Sequence, residues 1–295
     1  MKNWIFQLRV HQWLKNLLVL VPLVLAWDTS GLLKVVAGIA SFCLASSAVY
    51  VLNDIVDLEA DRIHPQKKNR PIAAGVISKN AGYFASALLL VVAFAIASQV
   101  NIAFLICLLI YLMATSFYTF FGKHLAYIDV LMLAGLYTLR IVSGALAGGY
   151  LISSWLLLFS YFTFLSLALA KRFGEMHQNK ALGGSIVSSR MYGVEEATLI
   201  LGAGLGSAFV CILTFALYLN QPEIVQRYSA GALLWVTLPV IIYFYLNLWA
   251  NAARGTLTYD PVIFALRNRA SQASMTVISL LLVLAHIVKF DWLVG

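Results

Sequence analysis

The sequence predicts an all-α integral membrane protein, and three observations support this prediction. Apolar residues (Ala, Val, Ile, Leu, Met, Phe, Trp, Tyr and Cys) fill 62% of the 295 positions, whereas charged residues fill only 11%. Soluble domains carry about 25% charged residues, and a soluble fold of this length could not cover so much apolar surface. The apolar residues also form long unbroken runs, unlike the short alternating strands of a membrane barrel. These features exclude a soluble enzyme, a secreted disulfide module and a disordered scaffold.

Nine apolar runs approach the roughly 20 residues that a helix needs to cross a bilayer. They cover approximately residues 14–27, 32–52, 81–98, 101–121, 127–148, 151–170, 197–218, 231–249 and 274–293. The first run is short, so it predicts a tilted or partly interfacial helix. We find no repeat and no soluble appendage, and we therefore predict one transmembrane domain over residues 1–295 with nine spans.

Basic residues are unevenly distributed between the two sides of this pattern. If the N-terminus is cytoplasmic, the connections on its side contain sixteen Lys and Arg residues and the opposite side contains three. Cytoplasmic loops carry such an excess. We therefore relate the net charge of +8 to orientation in a lipid bilayer and expect no nucleic-acid partner. Three long connections, at about residues 53–80, 171–196 and 250–273, lie on the cytoplasmic side and predict a functional cap of loops.

The first of these connections holds the clearest chemical signal. Four of the twelve acidic residues lie within the segment NDIVDLEAD at 53–61. If the preceding helix continues, Asp54, Asp57 and Asp61 share one face because they are three and four positions apart, whereas Glu59 points elsewhere. Three carboxylates at a membrane boundary repel one another, and a hard cation such as Mg²⁺ would stabilise them. The alternative is a solvated loop whose acids balance the basic residues that follow.

Those basic residues include Lys67 and Arg70, between the helix-breaking Pro65 and Pro71. Cations beside a metal site are what a phosphorylated substrate requires, because the metal screens one phosphate and Lys or Arg binds the remaining oxygens. The alternative is the ordinary positive charge of a cytoplasmic loop. Asn53 is a candidate to bind a phosphate or to orient Asp57.

The stretch NDIVDLEADRIHPQKKNRPIAAG at 53–75 resembles the first aspartate motif, NDxxDxxxD, of the UbiA superfamily of intramembrane prenyltransferases. The resemblance covers most of the chain. It implies a UbiA-like bundle of nine transmembrane helices, with Asp54, Asp57 and Asp61 as catalytic metal ligands that hold Mg²⁺ against a substrate diphosphate. Most members carry a second aspartate-rich motif between spans six and seven. Here that place reads KRFGE at 171–175, with Glu175 as the remaining carboxylate.

This departure is similar to one branch of the superfamily, the decaprenyl-phosphate phosphoribosyltransferases and their relatives. The resemblance rests on KRFGE, on the HPxKxxRP extension of the first motif and on YDPVIFALRNR at 259–269, although Asn268 stands where the branch commonly has Asp. It implies transfer of 5-phosphoribose from phosphoribosyl pyrophosphate to a polyprenyl phosphate, with Mg²⁺ as cofactor. The implied location is the bacterial plasma (inner) membrane, with the active site on the cytoplasmic side.

The candidates for binding the two substrates have specific alternatives. Lys171 and Arg172 would bind phosphates, or would form ordinary helix ion pairs with Glu175 that close the sixth span. Arg140 lies well inside the fifth run, where a charge costs about 2.5–3.5 kcal/mol, so it should face a polar cavity with Asp129 on the same helix face. It would contact a phosphate or serve as the structural partner of a buried carbonyl or carboxylate.

Four further candidates lie near the ends of the runs. Tyr118, Lys123 and Tyr192 would contact substrate or anchor the chain at the bilayer interface. Asp260, beside Pro261, is a helix cap or a ribose or metal ligand.

Two other functions fit parts of the pattern. A UbiA-type enzyme moving a prenyl group from its diphosphate to an aromatic acceptor is disfavoured by the missing second aspartate motif. A lipid or small-molecule transporter would place its polar groups near the membrane centre, usually in paired repeats. Here the polar groups collect on one face, and the sequence shows no internal repeat.

Overall fold

The computed structural model describes residues 2–65, 67–181, 192–222, 224, 228–257 and 261–288. The regular elements in these ranges are all helices, as the composition predicted. In chain order, the α-helices are α1 Lys2–Gln7, α2 Val21–Ala26, α3 Leu32–Val56, α4 Leu58–Ile63, α5 Lys79–Val100, α6 Ile102–Phe120, α7 Ile128–Gly148, α8 Ser154–Ala181, α9 Ala197–Leu219, α10 Ala232–Trp235, α11 Thr237–Ala253, α12 Pro261–Arg267 and α13 Arg269–Ile287. The 3-10 helices cover Val10–Leu20, Lys67–Asn69, Gly122–His124 and Val194–Glu196.

Within the described ranges, eight helical stretches are long and apolar enough to cross a membrane. They are Leu32–Val56, Lys79–Val100, Ile102–Phe120, Ile128–Gly148, Ser154–His177, Ala197–Leu219, Ala232–Ala253 and Arg269–Ile287. Seven of them overlap the predicted runs closely. The last begins five residues earlier than the predicted 274–293, and residues 289–295 lie outside the described part of the chain.

The first predicted span takes a different form. Residues 10–26 form a 3-10 helix, Val10–Leu20, followed by the short α2. Pro22 lies in the first turn of α2, where the lack of an N–H is tolerated, but the same lack prevents it from donating to a preceding α-helical turn. The segment falls short of a full span, so the count of nine is not confirmed and the described residues supply eight.

The chain divides into two compact units, of which the first comprises Met1–Gly122 and Leu136–Ile152. Its core lies between α3 and α5. Fully buried small residues such as Ala93 and Ala97 allow close helix packing. The hydroxyls of Ser41 and Ser86 donate to the carbonyls of Ala93 and Ala48 across the interface, each at 2.8 Å. These bonds fix α3, the helix that carries the acidic segment at its C-terminal end.

The second unit comprises Lys123–Gly135 and Ser153–Gly295. Helices α8 and α9 pack together, and the Ser166 hydroxyl donates to the Gly204 carbonyl at 2.9 Å. The Trp249 indole donates to Ser166 at 3.1 Å, and a Cβ atom on Gly204 would lie 2.1 Å from that ring. Gly204 is therefore required for this packing. The prediction of one domain over residues 1–295 stays a prediction.

Candidate functional site

The acidic segment lies where α3 ends and α4 begins. The predicted continuous helix is interrupted at Asp57, which sits between the two helices with φ −82° and ψ 8°. The helical bonding nevertheless continues, because the Asp57 N–H donates to Asn53 O at 2.9 Å and the Asp61 N–H donates to Asp57 O at 2.8 Å. The spacing of four between donors and acceptors is thus kept through the break.

Arg70 joins two of the three predicted metal ligands. Its Nη1 donates to Asp54 Oδ1 at 3.0 Å and to Asp61 Oδ2 at 2.6 Å. The carboxylate side chains are only 4% and 2% exposed, whereas the Arg70 side chain is 24% exposed. Two carboxylates from successive helices therefore converge on one cationic nitrogen.

The N-terminal segment supplies two further partners of Asp54. Arg9 Nη2 donates to Asp54 Oδ1 at 2.7 Å, and Gln7 Nε2 donates to Asp54 Oδ2 at 2.8 Å. Arg9 adopts a left-handed backbone conformation with φ 50°, and its guanidinium lies 4.8 Å from the centre of the Tyr50 ring. We call Gln7, Arg9, Asp54, Asp61 and Arg70 the aspartate–arginine cluster. It belongs entirely to the first unit.

The donor set of this cluster fits a magnesium ion. Mg²⁺ is usually bound through one or two carboxylates together with substrate phosphates. Asp54 and Asp61 supply two such carboxylates, and Arg70 already occupies a cationic position between them. Among the described residues, no three His, Cys, Asp or Glu side chains form a metal-ligand group. An ion here would depend on substrate oxygens to complete its coordination.

The other candidates of the acidic connection differ in burial. Asp57 is half-buried, whereas Glu59 is exposed and pairs with Arg62 at 3.3 Å. The exposure of Glu59, in contrast to the buried Asp54 and Asp61, agrees with the prediction that it points elsewhere. Asn53 donates to Thr119 Oγ1 at 3.3 Å. Lys67 is exposed in its 3-10 helix.

Two candidate site residues of the first unit, one tyrosine and one arginine, lie in its interior. Tyr118 is half-buried against the apolar core of that unit. Arg140 is 6% exposed and donates to Asn16 Oδ1 at 3.0 Å, to the Leu136 carbonyl at 2.9 Å and to the Tyr111 hydroxyl at 2.7 Å. These bonds match the structural alternative for Arg140, a partner of a buried carbonyl.

A second group of charged residues lies in the second unit. Arg172 is 1% exposed, and its Nε donates to Asp129 Oδ2 at 2.7 Å while its Nη1 donates to Glu175 Oε2 at 2.6 Å. The Tyr192 hydroxyl donates to the other oxygen of Asp129. We call Asp129, Arg172, Glu175 and Tyr192 the buried-arginine cluster. Lys171 lies at its edge, 28% exposed and 4.0 Å from Glu175 Oε1.

The surroundings of Tyr192 fix its protonation. Burial and the hydrogen bond to Asp129 raise the pKa of Tyr192 well above its usual value, so it remains a donor. Its oxygen also accepts from the Tyr127 N–H at 2.8 Å.

Two predicted site residues remain. Lys123 is half-buried in the 3-10 helix Gly122–His124, and Asp260 lies outside the described residues.

The family model described as the UbiA prenyltransferase family matches residues 17–264, which is most of the chain. The protein belongs to the UbiA prenyltransferase family. It is therefore a transferase, and its family together with the eight apolar helices of its described residues makes it an integral membrane protein.

The chain is also similar to two curated proteins, and it shares its fold with a solved structure. An uncharacterized protein of Sinorhizobium fredii, y4nM, is 38% identical over 274 residues; the match covers 92% of this chain but only 53% of that protein. The decaprenyl-phosphate phosphoribosyltransferase of Mycolicibacterium smegmatis is 30% identical over 273 residues, covering 90% of this chain and 86% of that enzyme. A UbiA homolog from Archaeoglobus fulgidus, solved with DMAPP and Mg²⁺, shares the fold at TM-score 0.69 and 18% identity over 94% of this chain and 99% of that chain.

Within this UbiA family member, sequence reasoning missed two residues of the aspartate–arginine cluster. Arg9 was counted only among the basic residues that predict membrane orientation, and Gln7 was not among the candidate site residues. Their partner Asp54 lies 45 and 47 positions away, and no local spacing signals such a contact. Asn268 accepts from the Ser271 N–H and caps α13. Asn and Asp cap helices about equally well, so an Asp at this position would have the same role.

Proposed function

We propose that this UbiA family member transfers 5-phosphoribose from phosphoribosyl pyrophosphate to a polyprenyl phosphate and releases pyrophosphate. The observation that carries the proposal is the aspartate–arginine cluster. In it, the buried carboxylates of Asp54 and Asp61 both pair with Arg70, and Asp54 also pairs with Arg9; both arginines are partly exposed. Such a set suits a metal-bound diphosphate. The KRFGE variant and the similarity to a decaprenyl-phosphate phosphoribosyltransferase support phosphoribose as the transferred group.

Asp54 and Asp61 are proposed to hold Mg²⁺, and Asp57 stays a predicted third ligand although the three carboxylates form no common ligand group among the described residues. When bound, the ion supplies the positive charge that stabilises the departing pyrophosphate. Arg9 and Arg70 would bind the pyrophosphate oxygens, because each keeps about a quarter of its side chain exposed while it contacts Asp54. Lys67, exposed in the same connection, is a proposed ligand of another substrate phosphate.

The proposed reaction requires positioning and electrostatics rather than a general base. An oxygen of the lipid phosphate, already anionic near neutral pH, forms a bond to C1 of the ribose, and the bond from C1 to the pyrophosphate oxygen breaks. Positive charge develops on the ribose ring while negative charge develops on the leaving group. The protein would therefore accelerate the reaction by holding both substrates and by placing cations at the leaving group.

In the second unit, we propose that Lys171 and Lys123 bind substrate phosphates. Arg172 is proposed to position Glu175 rather than to bind phosphate itself, because its guanidinium is buried and already bonded to two carboxylates. Glu175 is 27% exposed and lies at the edge of the cluster, paired with Arg172. We further propose that the aspartate motif faces the cytoplasm of a bacterial plasma membrane, which agrees with the distribution of basic residues.

The deciding experiment supplies purified protein in lipid nanodiscs with Mg²⁺, radiolabelled phosphoribosyl pyrophosphate and polyprenyl phosphate. Label that becomes extractable into organic solvent, and that disappears when EDTA removes the metal, supports the proposal. A parallel reaction contains a prenyl diphosphate and an aromatic acceptor. Product only in that parallel reaction would overturn the proposal in favour of ordinary prenyl transfer.

A further inference from the structure

We propose that Arg70 occupies the metal position while the substrate is absent, and that binding of the diphosphate transfers Arg70 and Arg9 from carboxylate to phosphate. This inference rests on the proposed function and adds a coupling between metal and substrate. It makes Arg9 and Arg70 residues that control when the metal binds.

The hydrogen bonds of Asp54 carry the first step of the argument. Its Oδ1 accepts from both Arg9, at 2.7 Å, and Arg70, at 3.0 Å, while its Oδ2 accepts from Gln7 at 2.8 Å. Asp61 Oδ2 accepts from the same Arg70 nitrogen at 2.6 Å. A metal ion that takes the position between the two carboxylates would have to displace Arg70, which donates to both of them. It would also enter against the positive charge of two guanidinium groups.

Exposure gives the order of events. The Asp54 and Asp61 side chains are 4% and 2% exposed, whereas Arg9 and Arg70 are 25% and 24% exposed. A ligand from solvent therefore meets the arginines before the carboxylates. A diphosphate offers them charge-assisted and bidentate bonds. Once the guanidinium groups turn to phosphate oxygens, the carboxylates are released to bind a cation.

Arg9 has a second partner that does not depend on Asp54. Its guanidinium stacks 4.8 Å from the centre of the Tyr50 ring, and such a contact survives when one hydrogen-bond partner replaces another. The left-handed backbone at Arg9 also fixes the direction from which the side chain approaches. Arg9 can thus exchange Asp54 for a phosphate without leaving its place.

Linkage requires that metal and diphosphate strengthen each other's binding by the same factor. The test measures Mn²⁺ binding by electron paramagnetic resonance, with the purified full chain in nanodiscs, in the presence and absence of inorganic pyrophosphate. For the wild type, we expect weak binding of Mn²⁺ alone and clearly tighter binding with pyrophosphate. For Arg70→Gln, we expect Mn²⁺ alone to bind about tenfold more tightly, the size of effect that one adjacent charge has on a carboxylate, and pyrophosphate to tighten Mn²⁺ binding by a smaller factor than in the wild type.

Arg62→Gln is the matched control. Arg62 lies in the same connection but pairs with the exposed Glu59, at 3.3 Å, so this change should leave Mn²⁺ affinity unaltered. If Arg70→Gln leaves the affinity for Mn²⁺ alone unchanged, or weakens it, the proposal is overturned. Arg70→Lys decides the question if the Gln variant does not fold. It keeps the charge but lacks the rigid fork, and it should tighten binding of Mn²⁺ alone by a smaller factor.

The design separates two failures. If the wild type binds no Mn²⁺ even with pyrophosphate, the metal site of the proposed function fails and this inference fails with it. If the wild type binds Mn²⁺ with pyrophosphate and Arg70→Gln behaves identically, the metal site stands and only the exchange of arginines is wrong.

Discussion

Both charged clusters pair arginine with carboxylates, but they differ in which side chains are exposed. In the aspartate–arginine cluster, the carboxylates of Asp54 and Asp61 are buried and the arginines are about a quarter exposed. In the buried-arginine cluster, Arg172 and Asp129 are 1% and 0% exposed, and only Glu175 reaches the surface. The partly exposed charges are therefore two cations in the first cluster and one anion in the second.

This difference separates a site that can exchange partners from one that is locked. Arg9 and Arg70 can leave a carboxylate for a phosphate because water reaches them and can compensate during the exchange. Arg172 has no such access, and removal of one member of a buried pair leaves an uncompensated charge. We therefore expect changes in the first cluster to alter ligand binding and turnover, and changes in the second to alter stability.

The largest effect should come from Arg172→Gln. It leaves Asp129 buried without its cation, which costs about 3–5 kcal/mol of unfolding free energy. Lys171→Gln is the matched control, because Lys171 is 28% exposed and 4.0 Å from Glu175; exposed pairs contribute at most about 1 kcal/mol. Thermal unfolding in detergent measures both variants. Equal stability of the two variants would contradict the contrast between the clusters.

Asp54→Asn should have the opposite signature. It removes a proposed metal ligand, and we expect turnover to fall at least about a hundredfold, equivalent to about 2.7 kcal/mol in activation free energy. Folding should persist because Arg70 keeps its bond to Asp61 and because Arg9, which loses its charged partner, is partly solvated.

Glu59→Gln is the control for Asp54→Asn, since Glu59 lies in the same segment but is exposed. It should keep full transferase activity. Wild-type turnover by a folded Asp54→Asn variant would remove Asp54 from the proposed mechanism.

Tyr192→Phe tests how much the hydrogen bond from Tyr192 to Asp129 stabilises the buried-arginine cluster. The change removes a hydrogen bond to the buried Asp129 carboxylate, and such bonds contribute about 1.5–3 kcal/mol. Burial and this bond raise the pKa of Tyr192 in the folded state. The resulting stability is complete below the usual tyrosine pKa of about 10 and is lost as the pH rises through the raised value.

The wild-type unfolding free energy should consequently fall when the pH increases beyond about 10. The Phe variant should be less stable at neutral pH and should show a shallower alkaline decline. Unfolding curves at neutral and alkaline pH provide the measurement. An identical alkaline slope in both proteins would mean that Tyr192 does not contribute to this pH dependence.

The sequence predicted the local part of each cluster and missed the distant part. Asp54 and Asp61 come together because helical spacing is set within a few residues, and it persists although the helix is interrupted at Asp57. The pairing of Arg172 with Glu175, three positions on, was likewise an expected alternative. Asp129 reaches Arg172 across 43 positions, and this contact depends on tertiary packing that no spacing reveals.

The membrane spans likewise include features that the sequence predicted and one that it did not. Eight of the nine predicted apolar runs form membrane-length helices in the described part of the chain, because backbone groups buried in lipid require helices of that length. The first run failed as a full span because its conformation depends on details that hydropathy does not contain. These are the proline at position 22 and the left-handed residues Arg9 and Trp27 at its two ends.

The smallest predicted effect concerns Lys67, which is exposed in the 3-10 helix Lys67–Asn69. If ligands approach the aspartate–arginine cluster from solvent, Lys67→Gln should raise KM for phosphoribosyl pyrophosphate by up to about fivefold, corresponding to the roughly 1 kcal/mol of an exposed ion pair. Stability should stay within about 0.5 kcal/mol of the wild type, as for other surface substitutions. Initial rates at low and high salt test this, since screening should reduce the difference. Lys68→Gln, an equally exposed neighbour, is the control. If both variants raise KM equally, the effect is general charge attraction by the loop, and Lys67 has no specific role in binding phosphoribosyl pyrophosphate.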